Sequence, residues 1–267
     1  MTDCTKPCCT NARSRPLVLS CFPGIGLLDH AFEEEGFTVV RGPDLLWGGD
    51  VHTFHPPAGV FDGLIGGPPC GAHSPLKHMV LQRYGADHLS PDLIPEFARC
   101  VAEARPRWFV MENSRCAPPP DVAGYQVHTQ LLNNRWLGDP QNRERRISFG
   151  THDGRPLHIQ LAALEHPQWE PAVTSEGRAQ CIRYGSRGAG GAAREKPQWK
   201  HNHPRDIFTM LELQGFPRNL LDKCPFTVDG KRVVVANGVP KPMGRAVACA
   251  VKRTMYPETT PETRKDH

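Results

Sequence analysis

Residues 17–40 read LVLSCFPGIGLLDHAFEEEGFTVV, and the succession of textures in this stretch decides the fold. Leu17-Val18-Leu19 is a short apolar run, and Phe22-Pro23-Gly24-Ile25-Gly26 is a turn. Leu27 to Glu35 reads as a helix with Leu27, Leu28, Ala31 and Phe32 on one face. Gly36 ends it, and Phe37 to Val40 is a second strand. Strand, glycine turn, helix, strand is the opening of a parallel sheet flanked by helices.

Outward from this stretch the alternation continues. Phe61 to Ile65 is a strand that runs into Gly66-Gly67-Pro68-Pro69, Pro95 to Ala104 is helical, and Trp108 to Met111 is again a strand. After Gly150 the texture changes. Residues 151–204 hold Gly185, Gly188, Gly190 and Gly191, little periodicity, and seven Lys/Arg against five Asp/Glu. Arg205 to Leu213 and Met243 to Met255 return to helix. The expected organisation is a loose N-terminal tail at 1–16, one α/β domain from 17–150 with 205–257, a small irregular lobe at 151–204, and a loose C-terminal tail at 258–267.

Composition excludes several classes. Hydrophobic residues make up 39% of the 267, enough for a core. The 27 prolines are about twice the usual ~5% share, which predicts many loops. A net charge of +4 is compatible with a polyanionic partner without demanding one. The ten cysteines show no disulfide framework, and Cys4, Cys8 and Cys9 lack a second ligand pair at finger-like spacing, so no metal site is expected. No apolar run approaches the ~20 residues of a membrane span, and the N-terminus lacks a hydrophobic signal region.

Four segments carry chemistry. The glycines of the 22–26 turn allow close approach to a cofactor. Gly66-Gly67-Pro68-Pro69-Cys70 presents a thiol on a rigid loop at a strand end, where it can act as a nucleophile once ionised. Met111-Glu112-Asn113-Ser114 sits just past the next strand, so Glu112 faces the same cleft and can serve acid–base chemistry if kept protonated. In Gln141-Asn142-Arg143-Glu144-Arg145-Arg146 an extended chain puts 141, 143 and 145 on one side, a bidentate array for phosphate or base oxygens.

Taken in order, these segments resemble the cytosine-5 DNA methyltransferase family over roughly residues 17–252, apart from the 151–204 lobe. Phe22-Pro23-Gly24-Ile25-Gly26 is similar to its first motif, Gly49-Asp50-Val51 to its adenine-contacting motif, and Gly67-Pro68-Pro69-Cys70 with Ser74 to its nucleophile loop. Glu112-Asn113, Pro140 to Arg145, Leu213-Gln214-Gly215-Phe216-Pro217 and Ala236-Asn237-Gly238-Val239-Pro240 resemble the later motifs. The chain departs from the family pattern at Ser20-Cys21 (usually Asp-Leu), at Leu27 (commonly a second glycine), at Gly71 (usually Gln) and at Ser114 (usually Val). The short spacing from Asp44 to Asp50 leaves no room for the usual helix between them.

The resemblance implies a Rossmann-like, mostly parallel sheet with flanking helices, the class I methyltransferase architecture, plus a small irregular target-recognition lobe. It implies S-adenosylmethionine as cofactor, held by Phe22, Gly24, Ile25, Gly26, Asp44, Asp50, Pro69, Asn237 and Val239, with Trp47 a further neighbour of the purine. Cys70 would attack C6 of a flipped cytosine, Glu112 would hold N3 and the exocyclic amine, Arg145 would donate to O2 and Arg143 would support the loop. The implied partner is double-stranded DNA, contacted by Ser74 and by Arg178, Arg183, Arg187, Arg194, Lys196 and Lys200 of the lobe. A cognate restriction endonuclease is a candidate partner of a monomeric, cytoplasmic enzyme, prokaryotic or phage-borne. A tRNA cytosine-5 methyltransferase, a silent DNA-binding relative and a transferase with a modified donor are the alternatives.

Overall fold

The computed structural model describes residues 15–74, 77–86, 89–162, 170–173 and 206–257. In chain order the strands and helices are β1 (Leu17–Cys21), α1 (Leu27–Glu34), β2 (Thr38–Arg41), β3 (Gly63–Gly66), α2 (Lys77–Tyr84), α3 (Ile94–Ala104), β4 (Trp108–Ser114), β5 (Gln126–Asn133), β6 (Gln141–Asn142), β7 (Glu144–Thr151), β8 (Glu170–Pro171), α4 (Ile207–Leu213), α5 (Val228–Asn237) and α6 (Lys241–Met255).

Six strands form the central sheet in the order β2-β1-β3-β4-β7-β5. The first four are mutually parallel, and β7 runs antiparallel between β4 and β5. Both faces are covered, so the parallel strands are apolar at successive positions and direct alternate residues to opposite layers. Val18, Ile65, Trp108 and Val110 pack in one layer with Phe32 of α1 and Met243, Val247 and Val251 of α6. Leu19, Leu64, Phe109 and Met111 face the other layer with Phe97, Cys100, Val101 and Ala104 of α3. Each such side chain contributes about 1.5–3 kcal/mol when fully buried. A third cluster joins Leu27, at the start of α1, to Met210 and Leu211 of α4, Phe216, Leu221, and Val235 and Ala236 of α5.

The register sets the location of the functional edge. Cys21 pairs with Gly66 and Gly66 with Met111, so β1, β3 and β4 end side by side. Because β7 runs the other way, its first residues arrive at that edge, with Arg145 opposite Ser114.

Two expectations shift and a third holds. Glu112, Asn113 and Ser114 lie inside β4 rather than past it. Residues 151–159 belong with the core: Thr151 ends β7, Leu157 is 6% exposed in the first layer, and the carbonyl of His158 accepts from Arg253 of α6. Between Asp44 and Asp50 there is only a 3-10 turn, Leu45–Trp47, as the short spacing requires. The tails 1–14 and 258–267 and the lobe residues 163–169 and 174–205 lie outside the described residues, and with them Arg178, Arg183, Arg187, Arg194, Lys196 and Lys200. No described helix is long and apolar enough to cross a membrane.

Candidate active site at the strand ends

The Cys70 loop leaves β3 through Gly67 and Pro68 and enters a one-turn 3-10 helix, Gly71–His73, with Cys70 at its N-terminal end. Cys70 is half-buried. The loop is held by the neighbouring strand. Asn113 donates its Nδ2 to the Pro68 carbonyl at 3.0 Å, and Ser114 donates its hydroxyl to the His73 carbonyl at 3.1 Å. Two side chains from the rigid centre of the sheet therefore grip the loop on either side of the thiol. Ser74, half-buried, follows the turn.

Glu112 stands beside this loop. The loop passes close to it: a Cβ at Gly67 would lie 3.3 Å from Glu112 Oε2, a tight contact. Arg145 Nε lies 2.9 Å from Glu112 Oε1. Burial raises the Glu112 pKa, against the lowering by the Arg145 and Arg143 charges. A carboxyl in this state can carry a proton to a ring nitrogen. Arg145 also donates Nη1 to the Glu144 carbonyl at 2.8 Å. Its side chain is 20% exposed, so it reaches the mouth of the cleft.

Arg143 corrects the expectation of a two-arginine array. It is 2% exposed, and its Nη2 donates to the carbonyls of Ala236 at 2.7 Å and Gly238 at 3.0 Å. Burial and the neighbouring Arg145 lower its pKa, while Glu112 and Cys70 raise it. Both of its terminal nitrogens donate to main-chain carbonyls, and its burial keeps it from solvent, so it ties the entry to β7 to the C-terminal segment.

The glycine turn lies at the same edge. Gly24 has φ +55°, and a Cβ there would meet nothing within 4 Å, so the turn opens onto free space. Phe22, half-buried, also has a positive φ of 57°, a conformation costing a bulky residue roughly 1–3 kcal/mol. Asp44 accepts from Gly24 N at 2.7 Å and from Leu46 N at 2.8 Å. Trp47, 55% exposed, donates its indole N–H to the Gly24 carbonyl at 2.6 Å and tilts against Phe226. Asp50, exposed, caps the following turn by accepting from His52 N. An open glycine, two aromatic rings and two carboxylates with spare lone pairs fit an adenosyl group. Ile25 and Pro69 are half-buried at this edge, and Gly26 is buried.

The C-terminal motif divides. Asn237 is exposed as the last residue of α5, while Val239 is 5% exposed in the first core layer. The Val239 side chain thus packs in the core beside the exposed Asn237.

Sequence reasoning missed a buried support beneath the turn. Asp29, 0% exposed, accepts from the Ser20 hydroxyl at 2.5 Å and from Arg41 Nε at 3.0 Å. The signal was a carboxylate inside the apolar run Leu27-Leu28-Asp29-His30-Ala31-Phe32. It also missed a contact between His73 Nε2 and Asp92 Oδ2 at 2.9 Å, for which the sequence carries no signal. Among the described residues no cluster of ligands could hold a metal ion.

Comparison with known proteins agrees with this geometry. A family model described as C-5 cytosine-specific DNA methylase matches residues 49–117, a span that includes Asp50, Cys70 and Glu112. The Type II methyltransferase M.DdeI of Desulfomicrobium norvegicum is 26% identical over 197 residues, 59% of this chain and 46% of that protein. The orphan methyltransferase M.SPRI of Bacillus phage SPR is 29% identical over 106 residues, 35% of this chain and 23% of its own length. The matched stretch thus spans less than half of either relative. In fold, the S. pombe Dnmt2 methyltransferase superposes with a TM-score of 0.57 at 14% identity, covering 90% of this chain and 99% of that one.

Proposed function

This chain is a relative of the C-5 cytosine-specific DNA methylases, and from that premise we propose that it methylates C5 of cytosine in DNA by way of a covalent Cys70 adduct. The observation that carries the proposal is the meeting of the Cys70 loop and the Glu112–Arg145 pair at one sheet edge, beside the open Gly24 turn.

The chemistry follows from the residues. Cytosine C5 is a poor nucleophile. The Cys70 thiolate forms a bond to C6, and the ring electrons move toward N3. Glu112, kept protonatable by burial, gives N3 a proton as charge develops there. Arg145 holds Glu112 and donates to the O2 oxygen. C5 is then enamine-like and takes an electrophilic one-carbon group. S-adenosylmethionine, held by Phe22, Gly24, Asp44, Trp47 and Asp50, supplies that methyl group when bound. Loss of the C5 proton to solvent water, expulsion of Cys70 and return of the N3 proton to Glu112 restore the aromatic ring, the free thiol and the carboxyl. The target base must leave the stack, at a cost of a few kcal/mol.

The 151–204 lobe, with Ser74 near the thiol, is proposed to read the DNA. The bacterial and phage sources of the relatives favour a cytoplasmic enzyme; the Type II names of several relatives make a restriction endonuclease a candidate partner, and a monomer is the proposed acting form.

DNA carrying 5-fluorocytosine tests the mechanism, because fluorine at C5 cannot leave as a proton. The wild-type protein should be trapped covalently, and Cys70→Ala should trap nothing while retaining S-adenosylmethionine binding. Nucleoside mass spectrometry of DNA and tRNA from expressing cells should find new 5-methylcytosine in DNA. Its appearance in tRNA alone, or trapping by Cys70→Ala, overturns the proposal.

A further inference from the structure

The Cys70 loop has a third tether, from outside the sheet. His73 closes the 3-10 turn that begins at Cys70, its N–H donating to the Cys70 carbonyl at 3.0 Å. Two residues separate it from the thiol, so any rotation of His73 is passed to Cys70. The imidazole Nε2 lies 2.9 Å from Asp92 Oδ2, with the His73 side chain half-buried (22% exposed) and Asp92 exposed (42%). Asp92 is itself anchored, its Oδ1 accepting from Ile94 N at the start of α3. That helix is fixed by Ile94, Phe97, Cys100, Val101 and Ala104 in the second core layer. Beside this contact Gly71 packs on Ser90, a Cβ there lying 3.0 Å from Ser90 Cβ.

His73 and Asp92 are therefore the two stems of the segment 74–91. Asn113 and Ser114 grip only main-chain carbonyls, and both come from β4. A grip from one strand sets the distance of the loop from the sheet but leaves it free to pivot about that line. The imidazole reaches in another direction, toward α3, and removes the pivot. We infer that His73, through Asp92, is a positioning residue that fixes the orientation of the Cys70 loop. The inference rests on Cys70 being the nucleophile. A misplacement of about 1 Å at a reacting atom can cost on the order of 10²-fold in rate, so a single side-chain contact suffices to matter even where solvent partly screens the charges.

Single-turnover trapping on 5-fluorocytosine DNA, with S-adenosylmethionine affinity measured by calorimetry, provides the test. His73→Phe keeps the ring volume and removes the contact. Its trapping rate should fall about 10–100-fold with S-adenosylmethionine affinity unchanged. His73→Gln, whose side-chain amide can still reach the Asp92 carboxylate, should recover most of the rate. Asp92→Asn combined with His73→Phe should be no slower than His73→Phe alone, since both changes break one contact. The chemical step should carry the loss, leaving the KM for DNA nearly constant. Wild-type trapping by His73→Phe, no recovery in His73→Gln, or additive losses in the double variant would overturn the inference. Absence of trapping by the wild-type protein would instead overturn the nucleophile assignment, and this inference with it.

Discussion

At the scale of single residues, the buried carboxyl of Glu112 governs both activity and pH behaviour. Its folded pKa is raised above the ordinary 4.5, chiefly by burial. Between those two values the native state holds a proton that the unfolded chain has lost. The contribution of Glu112 to stability is therefore greatest at low pH and declines as pH rises through that window. Glu112→Gln removes the titration but leaves Arg145 an acceptor at Oε1. The stability of the variant relative to wild type, followed by urea midpoint, should increase from pH 4 to pH 8; a constant or falling difference would contradict the assignment. Activity should drop about 10²-fold or more, as for loss of a positioned acid. Glu112 and Asn113 were legible as a pair in the sequence. Their position inside β4 was not, because polar residues at the end of a strand read as a loop.

At the scale of elements, α5 and β5 show where local sequence misleads. Val228-Asp229-Gly230-Lys231-Arg232-Val233-Val234-Val235-Ala236-Asn237 carries a β-branched run and a glycine, yet it is helical. The Thr227 hydroxyl caps it by accepting from Gly230 N at 3.1 Å, and Val235 and Ala236 pack into the third cluster. Burial of that face outweighs propensity. β5 is polar at most positions, with only Leu132 and Asn133 buried, and only its pairing with β7 makes it a strand. The end of α5 then meets the start of α1. A Cβ on Gly238 would fall 2.2 Å from Leu27 Cδ1. Gly238→Ala should cost about 1–3 kcal/mol by overpacking and weaken S-adenosylmethionine binding, since α1 carries the Gly24 turn at its entrance. Adding Leu27→Ala should restore binding. An unchanged thermal midpoint in Gly238→Ala would show that the α1–α5 contact yields without cost.

At the scale of the whole molecule, the C-terminal segment and the sheet are joined through Arg143. Its guanidinium reaches residues 93 and 95 positions away in sequence. Arg143→Met should remove the Arg143 bond to the Ala236 carbonyl and leave Gly238 with only the 3.3 Å bond from Gln214 Nε2, at about 1–3 kcal/mol for the lost pairing. Both stability and catalysis should suffer, whereas Arg145→Met should reduce trapping of 5-fluorocytosine DNA more than it reduces the urea midpoint. Equal stability losses in the two variants would refute this division of labour. The lobe is tested by salt. Replacing Arg183, Arg187 and Arg194 together by Ala should weaken DNA binding and flatten the log–log salt dependence by about 0.9 for each phosphate no longer neutralised. S-adenosylmethionine affinity should be unaffected. Retention of DNA affinity, salt slope and site preference would place recognition elsewhere on the chain.

The sequence by itself determined the alternation of strands and helices from Leu17 to Met111, apart from the helix Lys77–Tyr84, together with the glycine turn, the thiol loop and the ordered motifs that resemble the family. These are local patterns, written in period and in turn residues close together in the chain. Only the tertiary structure showed how differently the two arginines are buried. Arg143 and Arg145 are two apart on an extended segment, but Arg143 is 2% exposed against the residues that end α5 while the Arg145 side chain is 20% exposed beside Glu112. The same holds for Asp29 beneath the Gly24 turn and His73 against Asp92. Their partners are brought near by register and layer packing, which depend on contacts between elements far apart in sequence.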